Sequence, residues 1–218
     1  MNLYNENMMI IDLNRQETQT RELDPDLVQE QIGGAALNQA LYQEICAQEP
    51  ESDPIVIGTG PLTGTPIPGA GLSVITAKSP VTDQLAHVPI LQWIGSEIKY
   101  SGFDFIVIKG KAENPVYLWL HDGLADIADA SAIKDQDAWQ TTDWIRRQRG
   151  DNLIQVISTG SAAANQSPNA QLVLNYWPSA DHVGMAKLLG EKKVKAIAFR
   201  GLGIIDVENG EGLIEEAI

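Results

Sequence analysis

The sequence predicts an α+β fold made twice over: two mixed sheets with flanking helices, related by an internal duplication. Three observations predict it. The order hairpin, helix, strand, loop, strand, helix, strand occurs once in each half of the 218 residues. Matching residues recur at an offset of one hundred, in the pairs Val56/Val156, Ile57/Ile157, Thr59/Thr159 and Gly60/Gly160. Charge-free β-branched runs such as Ile55-Val56-Ile57 have the character of buried strands.

The first half opens on two strands, residues 8–13 and 18–23, around the polar turn Asn14-Arg15-Gln16-Glu17. Asp24-Pro25 starts a helix, with Asp24 as its cap and Pro25 in its first turn. That helix reaches about Ile32 and breaks at Gly33-Gly34. A second, over 35–47, places Leu37, Leu41 and Ile45 on one face. Next comes the stretch that organises the chain, residues 54–80. Here a strand, a loop holding Gly58, Gly60, Pro61, Gly64, Pro66, Pro68, Gly69 and Gly71, and a strand with Leu72, Val74 and Ile75 succeed one another. Glycines of this density admit close backbone approach. The loop is a site former or a tight structural crossover. Residues 91–100 read as a helix ended near Gly102, and 103–109 as a strand.

The second half repeats the pattern. Strands over 116–120 and 124–128 flank His121-Asp122-Gly123, an Asp-Gly hairpin turn. Asp137 with Gln140 is a capping box for a helix that stops at Gly150. A strand at 153–157, a loop at 158–161, a strand at 172–176, a helix at 183–189 and a strand at 194–199 complete it. Residues 1–207 are thus expected to form a single duplicated domain, with pseudo-repeats over 8–112 and 115–207. Residues 208–218 form a short acidic tail that begins a helix.

Composition narrows the function classes. The net charge is −14, with eleven acidic residues against Arg15 and Arg21 between Glu6 and Asp53. Such a surface disfavours nucleic acid and anionic membrane. No run of about 20 apolar residues calls for membrane insertion, and the N-terminus lacks a signal-type pattern, so a cytoplasmic location is expected. A single cysteine, Cys46, excludes an intrachain disulfide and an all-cysteine iron-sulfur site from this chain alone. Gly58-x-Gly60-x-x-x-Gly64 has the wrong spacing for a dinucleotide fingerprint, and Pro66 and Pro68 forbid an immediate helix. Walker A and G-x-S-x-G motifs are absent. His87, His121 and His182 have no metal-ligand spacing, although His182, in a loop, is the best placed of the three for a functional role. Arg146, Arg147 and Arg149 complement a helix dipole. The five tryptophans fall on separate elements and suit packing or interfaces. Glu97 reads as a helix-surface acid and Asp104 as a strand-entry acid.

GTGPLTGTPIPGAG…VITAKSP, followed by GSEIKYSGFDFIVIKGKAENPVYLWL, resembles the amino-terminal domain of the tungsten-pterin aldehyde ferredoxin oxidoreductases. The likeness continues in MMIIDLNRQETQTRELD…IGGAALNQALYQEI and LLGEKKVKAIAFRG, and so covers about residues 7–207. It implies that family's platform fold, two sheets around a pseudo-twofold on which a pterin cofactor lies. It also implies a residual cofactor loop of Gly58, Thr59, Gly60, Leu62, Thr63 and Gly64. Three ligand segments depart from the family pattern. Leu72 stands where the family presents an Arg, and Pro89-Ile90-Leu91-Gln92 where it has Asn-Ser-Gly-Gly. An Arg- and Gly-rich segment is reduced to His182–Lys187. A guanidinium that grips phosphate is not replaced by leucine. The helical domains and iron-sulfur cysteines of the family lie outside this sequence.

The implied role is a non-catalytic accessory or structural subunit of a tungsten/molybdenum-pterin oxidoreductase system, similar to the short YdhW-type oxidoreductase-system proteins. The expected partners are a full-length aldehyde ferredoxin oxidoreductase-like catalytic subunit, an iron-sulfur electron-transfer protein, or a second copy in a homodimer. The alternatives are a pterin or small-anion carrier or maturation factor, and one half of a split enzyme. No cofactor is expected in the isolated chain; tungsto- or molybdopterin belongs to the carrier alternative. Leu72, Ile90, Leu91, Trp93 and Met185 are the expected interface, with Leu72 turned inward and Ile90 or Trp93 partly exposed.

Overall fold

The computed structural model describes residues 3–207 and 209–217. Glu208 and Ile218 of the expected tail, and Met1 and Asn2 of the expected domain, lie outside the described residues. The first half contains β1 (Asn7–Asp12), β2 (Glu17–Glu22), α1 (Pro25–Gln31), α2 (Gly34–Gln48), β3 (Ile55–Thr59), β4 (Ser73–Lys78), β5 (Leu85–Ile90), α3 (Ile94–Tyr100) and β6 (Phe105–Lys109). The second contains β7 (Val116–His121), β8 (Leu124–Asp129), α4 (Ala138–Arg149), β9 (Gln155–Thr159), α5 (Ser161–Ala164), β10 (Leu172–Leu174), β11 (Trp177–Pro178), α6 (Met185–Glu191) and β12 (Val194–Arg200). A last helix, α7, spans Gly210–Ala217.

The two sheets have the same plan. The first runs β2-β1-β6-β3-β4-β5, and the second, read from its other end, β8-β7-β12-β9-β10-β11. In each, the strand after the last helix pairs in parallel with the opening strand: Met9 opposite Ile106, and Leu118 opposite Ile197. The remaining ladders are antiparallel. β3 and β9 hold the same place, and Thr59 and Thr159 end them alike. Thr59 Oγ1 donates to the Asp104 carbonyl at 3.1 Å and Thr159 Oγ1 to that of Lys195 at 3.2 Å. The duplication read from the sequence is therefore present in the fold.

Alternation along the strands makes three layers of core. Met9, Ile11, Ile57, Ile106 and Ile108 of the first sheet share one cluster with Leu118, Leu120, Ile157 and Phe199 of the second, and α3 and α6 lie in it. The opposite face of the first sheet, with Met8, Val56, Phe105 and Val107, packs under α2 through Leu37 and Leu41. That of the second, with Tyr117, Val156, Ala196 and Ala198, packs under α4 through Ile145. Covering on both faces explains why these strands are nearly continuous apolar runs.

Local signals act where the sequence placed them. Asp24 caps α1, and Asp137 with Gln140 forms the capping box of α4. Asp122 and Gly123, at φ 44° and 81°, make the hairpin turn. Gly150 ends α4 at φ 73°. Four elements differ from expectation. β5 and β11 were not foreseen, the third helix starts at Ile94 rather than Leu91, and α5 replaces part of a loop. Arg146 does more than face a dipole: its guanidinium donates to the Ile154 carbonyl, Asn175 Oδ1 and the Tyr176 hydroxyl. Among the described residues, no helix is long and apolar enough to cross a membrane.

Candidate functional site

The loop between β3 and β4 is closed on itself. Thr63 Oγ1 accepts from the Gly60 amide at 2.9 Å and donates to the Leu72 carbonyl at 3.0 Å, tying the two ends together. Within it, the amides of Thr63, Gly64, Thr65 and Ala70 donate to the carbonyls of Gly60, Ala70, Leu62 and Ile67. Those four amides, and that of Gly60, are thus spent on the loop's own shape. Gly64, at φ 86°, and Gly69, at φ 82°, take conformations that suit glycine.

Beneath the loop lies a buried ion pair. Lys99 on α3 and Asp104 at the entry of β6 have side chains 1% and 0% exposed, with 3.4 Å between Nζ and Oδ1. Lys99 Nζ also donates to the carbonyls of Leu3 and Pro61, and Tyr100 Oη donates to that of Gly64 at 3.2 Å. Burial pulls the Lys99 ammonium down and pushes the Asp104 carboxyl up, while each partner's charge opposes the other's shift. Glu97, two residues earlier on the helix, is buried too. Its Oε1 accepts from the Gly201 amide at 2.9 Å and from Arg200 at 3.2 Å, joining α3 to the end of β12. The expectation of a surface acid at Glu97 is corrected: it braces the two halves. The signal available in the sequence was its place in a helix whose neighbours are apolar or small.

Of the expected loop residues, Gly58 and Thr59 belong to β3 and are buried. A Cβ on Gly58 would lie 2.0 Å from Asn38 Oδ1 and 2.3 Å from the Phe105 ring, so close packing under α2 is what this glycine serves. Gly60, Leu62, Thr63 and Gly64 are in the loop proper. Two clefts flank it. One of about 540 Å³ is lined by Thr65, Pro66, Gly69, Gly71, Gln92 and Trp93. The other, of about 370 Å³, is lined by Pro61, Leu62, Ile67, Pro68, Leu72 and Val74.

The interface residues divide. Leu72, Leu91 and Trp93 are 47%, 43% and 70% exposed, whereas Ile90 and Met185 are wholly buried. Leu72, expected inside, is exposed; of Ile90 and Trp93, one of which was expected to be partly exposed, Trp93 is the exposed one. Ile90 ends β5 opposite Ser73 and turns into the central core, and Met185 opens α6 against the same core. Gln92 holds φ 67° without being glycine, and its Oε1 accepts from Asn175 Nδ2 of the second half at 2.9 Å.

The start of α6 is filled from within. Asp181, 1% exposed, accepts the amides of Val183, Gly184 and Met185 on Oδ1 at 3.0–3.2 Å, and that of Ala186 on Oδ2 at 2.8 Å. Asp181→Ala is expected to cost about 2 kcal/mol, the upper end of capping losses, read from the urea midpoint. A loss below about 0.5 kcal/mol would show that the four bonds add nothing beyond hydration of the same groups.

The donor set does not fit a phosphate-bearing pterin cofactor. The two clefts are lined by apolar side chains with Thr63, Thr65, Ser96 and the amide-bearing Gln92, and no cation lines either. The cations nearest in the fold are engaged: Lys99 with Asp104, and Arg200 with Glu97 and Asp151. The start of α6 holds the chain's own Asp181 carboxylate. His182 is exposed, His87 Nδ1 meets Thr76 Oγ1 at 2.9 Å, and among the described residues no His/Cys/Asp/Glu group could hold a metal ion.

Two sheets on one plan, with a glycine-proline loop over a buried lysine–aspartate pair, define a platform-type α+β domain. The family model for the aldehyde ferredoxin oxidoreductase N-terminal domain matches residues 8–201, and the chain belongs to that family. A tungsten-containing aldehyde ferredoxin oxidoreductase of Pyrococcus abyssi is 34% identical over 77% of this chain and 28% of that protein. The aliphatic sulfonate oxidoreductase, WOR-like subunit, of Pyrococcus furiosus is 26% identical over 99% of this chain and 38% of that protein. Among solved structures, the active-site complex BamBC of benzoyl coenzyme A reductase with 1,5-dienoyl-CoA superposes with a TM-score of 0.91 at 26% identity. The match covers 98% of this chain and 33% of that one. The chain thus spans about a third of the length of the relatives it matches.

Proposed function

We propose that this chain serves a tungsten- or molybdenum-pterin oxidoreductase system as a non-catalytic accessory or structural subunit. On this reading residues 1–207 are one duplicated platform domain, with repeats over 8–112 and 115–207. Its partner is a full-length catalytic subunit of the same family or an iron-sulfur electron-transfer protein. The observation that carries the reading is the chemistry of one face. Where the resemblance implies a phosphate-gripping Arg and an Asn-Ser-Gly-Gly run, the chain presents exposed Leu72, Leu91 and Trp93 beside an internally bonded loop. Leu72 and Trp93 line the two clefts beside the loop; exposed apolar side chains in such places suit a contact surface, and tryptophan is a common anchor of binding energy.

The test is co-purification from the native cell, comparing the wild type with a Leu91→Asp, Trp93→Ala variant. Both positions are exposed, so the variant should fold. It is expected to lose the oxidoreductase partners that the wild type retrieves; equal yield from both would remove this face as the docking surface. Elemental analysis and pterin fluorescence on the purified wild type are expected to find only traces of tungsten, molybdenum and pterin. Near-stoichiometric cofactor would instead favour the carrier.

A further inference from the structure

The pseudo-twofold pairs residues 97–104 with 188–195, and the hydrogen bonds set the register. The Ser101 amide donates to Glu97 as that of Lys192 does to Leu188; the Gly102 amide donates to Lys99 as that of Lys193 does to Gly190. Gly102 and Lys193 both have positive φ, 97° and 59°. Thr59 and Thr159 then reach the carbonyls of Asp104 and Lys195. Gly190 therefore stands where the first half has Lys99, and Lys195 where it has Asp104.

The substitutions reverse the charge and empty the space. In the first half the Lys99 side chain and the Leu3 carbonyl fill the region beside Asp104. In the second half a cavity of about 310 Å³ remains, lined by Lys134, Lys193 and Lys195 with Glu113, Thr159 and Val194 among its walls. Lys195 is 5% exposed. Its ammonium donates to the carbonyls of Gln136 at 2.6 Å and Lys134 at 3.4 Å, and burial lowers its pKa. Among the described residues none of the three lysines is in an ion pair of 4.0 Å or less; Lys193 Nζ donates to the Glu113 carbonyl.

We propose that this cavity binds a small organic anion, a carboxylate or phosphate monoester with a compact apolar body. Three lysines and one carboxylate line the cavity; Asp135 and Asp137 also act on Lys195 but stand outside the lining, and a concave site focuses the lysines' potential. Asp135 and Asp137 act on Lys195 only from beyond 4.0 Å, and a buried charge without a counter-charge in contact is costly. The anion supplies to Lys195 the opposite charge that Lys99 supplies to Asp104. Pro115, Ala164 and Val194 offer apolar walls to the body, and the volume is that of a small ligand pocket. The site lies apart from the 60–72 loop and does not depend on the subunit reading.

Calorimetric titration of the full chain with phenyl phosphate, hexanoate, inorganic phosphate and hexylammonium tests this. One-site binding of phenyl phosphate or hexanoate, whichever head group prevails, is expected, and none of hexylammonium. A Lys134→Ala, Lys193→Ala variant, altered only at exposed positions, should bind about tenfold more weakly or worse, as lost charge-assisted hydrogen bonds imply. Lys195→Met, checked for its fold by circular dichroism, should abolish binding. Failure of both organic anions to bind at millimolar concentration, or unchanged affinity in the double variant, would overturn the assignment.

Discussion

Lys99→Met is expected to lower stability by about 3–5 kcal/mol, the loss typical when one partner of a buried ion pair is removed. At two to four degrees per kcal/mol for a domain of this size, the melting temperature should fall by roughly 6–20 °C. Three consequences of the substitution act together. Asp104 would be left wholly buried with no opposing charge, and the Leu3 and Pro61 carbonyls would lose a shared donor. The glycine-proline loop would lose its tie to α3. Adding Asp104→Leu should restore most of the loss, because replacing both ions by apolar groups is often near neutral. The remainder would measure what the lysine contributes through the two carbonyls. Urea unfolding of the two single variants and the double forms the cycle. A loss below about 1 kcal/mol for Lys99→Met would mean that water reaches Asp104 and the pair is not a brace.

Gly58→Ala should cost about 1–3 kcal/mol, as overpacking does, whereas Gly60→Ala should cost less than about 1 kcal/mol. The two glycines look alike in the sequence, yet their surroundings differ. The added methyl at Gly58 meets Asn38 and the Phe105 ring at 2.0–2.4 Å, inside a layer with no free volume. At Gly60 the nearest atom is Thr63 Oγ1 at 3.6 Å, an ordinary contact. Thermal melts of both variants decide the point. Equal losses would mean that α2 can shift to admit the methyl and that Gly58 is not a packing constraint.

The sequence carried the architecture because the same local signals occur twice, and each half checks the other. It failed at β5 for a physical reason. His87, Pro89 and Gln84 give that segment no strand character, and Pro89 is tolerated only because its ladder partner Val74 lies on one side. Missing that strand moved the helix start back to Leu91 and lost the phase of the alternation. Because side chains alternate between the two faces of a strand, an unseen strand leaves open which of residues 89–93 face the core; Ile90 proves buried and Trp93 exposed. At the candidate site, the glycine-rich loop was legible as a loop. Its floor was not: the pairing of Lys99 with Asp104 and of Glu97 with Arg200 joins elements whose approach only the fold defines. The capping role of Asp181 was within reach, since an acid followed within a few residues by a helix is a cap signal, but His182 beside it was the residue singled out for a functional role.

The order of strands has a consequence for how this protein meets other chains. β2, β5, β8 and β11 are the outermost strands of the two sheets. Each is guarded. β2 carries Glu17, Arg21 and Glu22, β8 carries Asp126 and Asp129, and β5 and β11 contain Pro89 and Pro178. Charge and proline are the usual means of blocking a neighbour's backbone from continuing a ladder. A partner therefore cannot readily extend either sheet by lending a strand. Assembly must proceed through side chains on the helix and loop surfaces, where single substitutions can dissolve it without disturbing the fold.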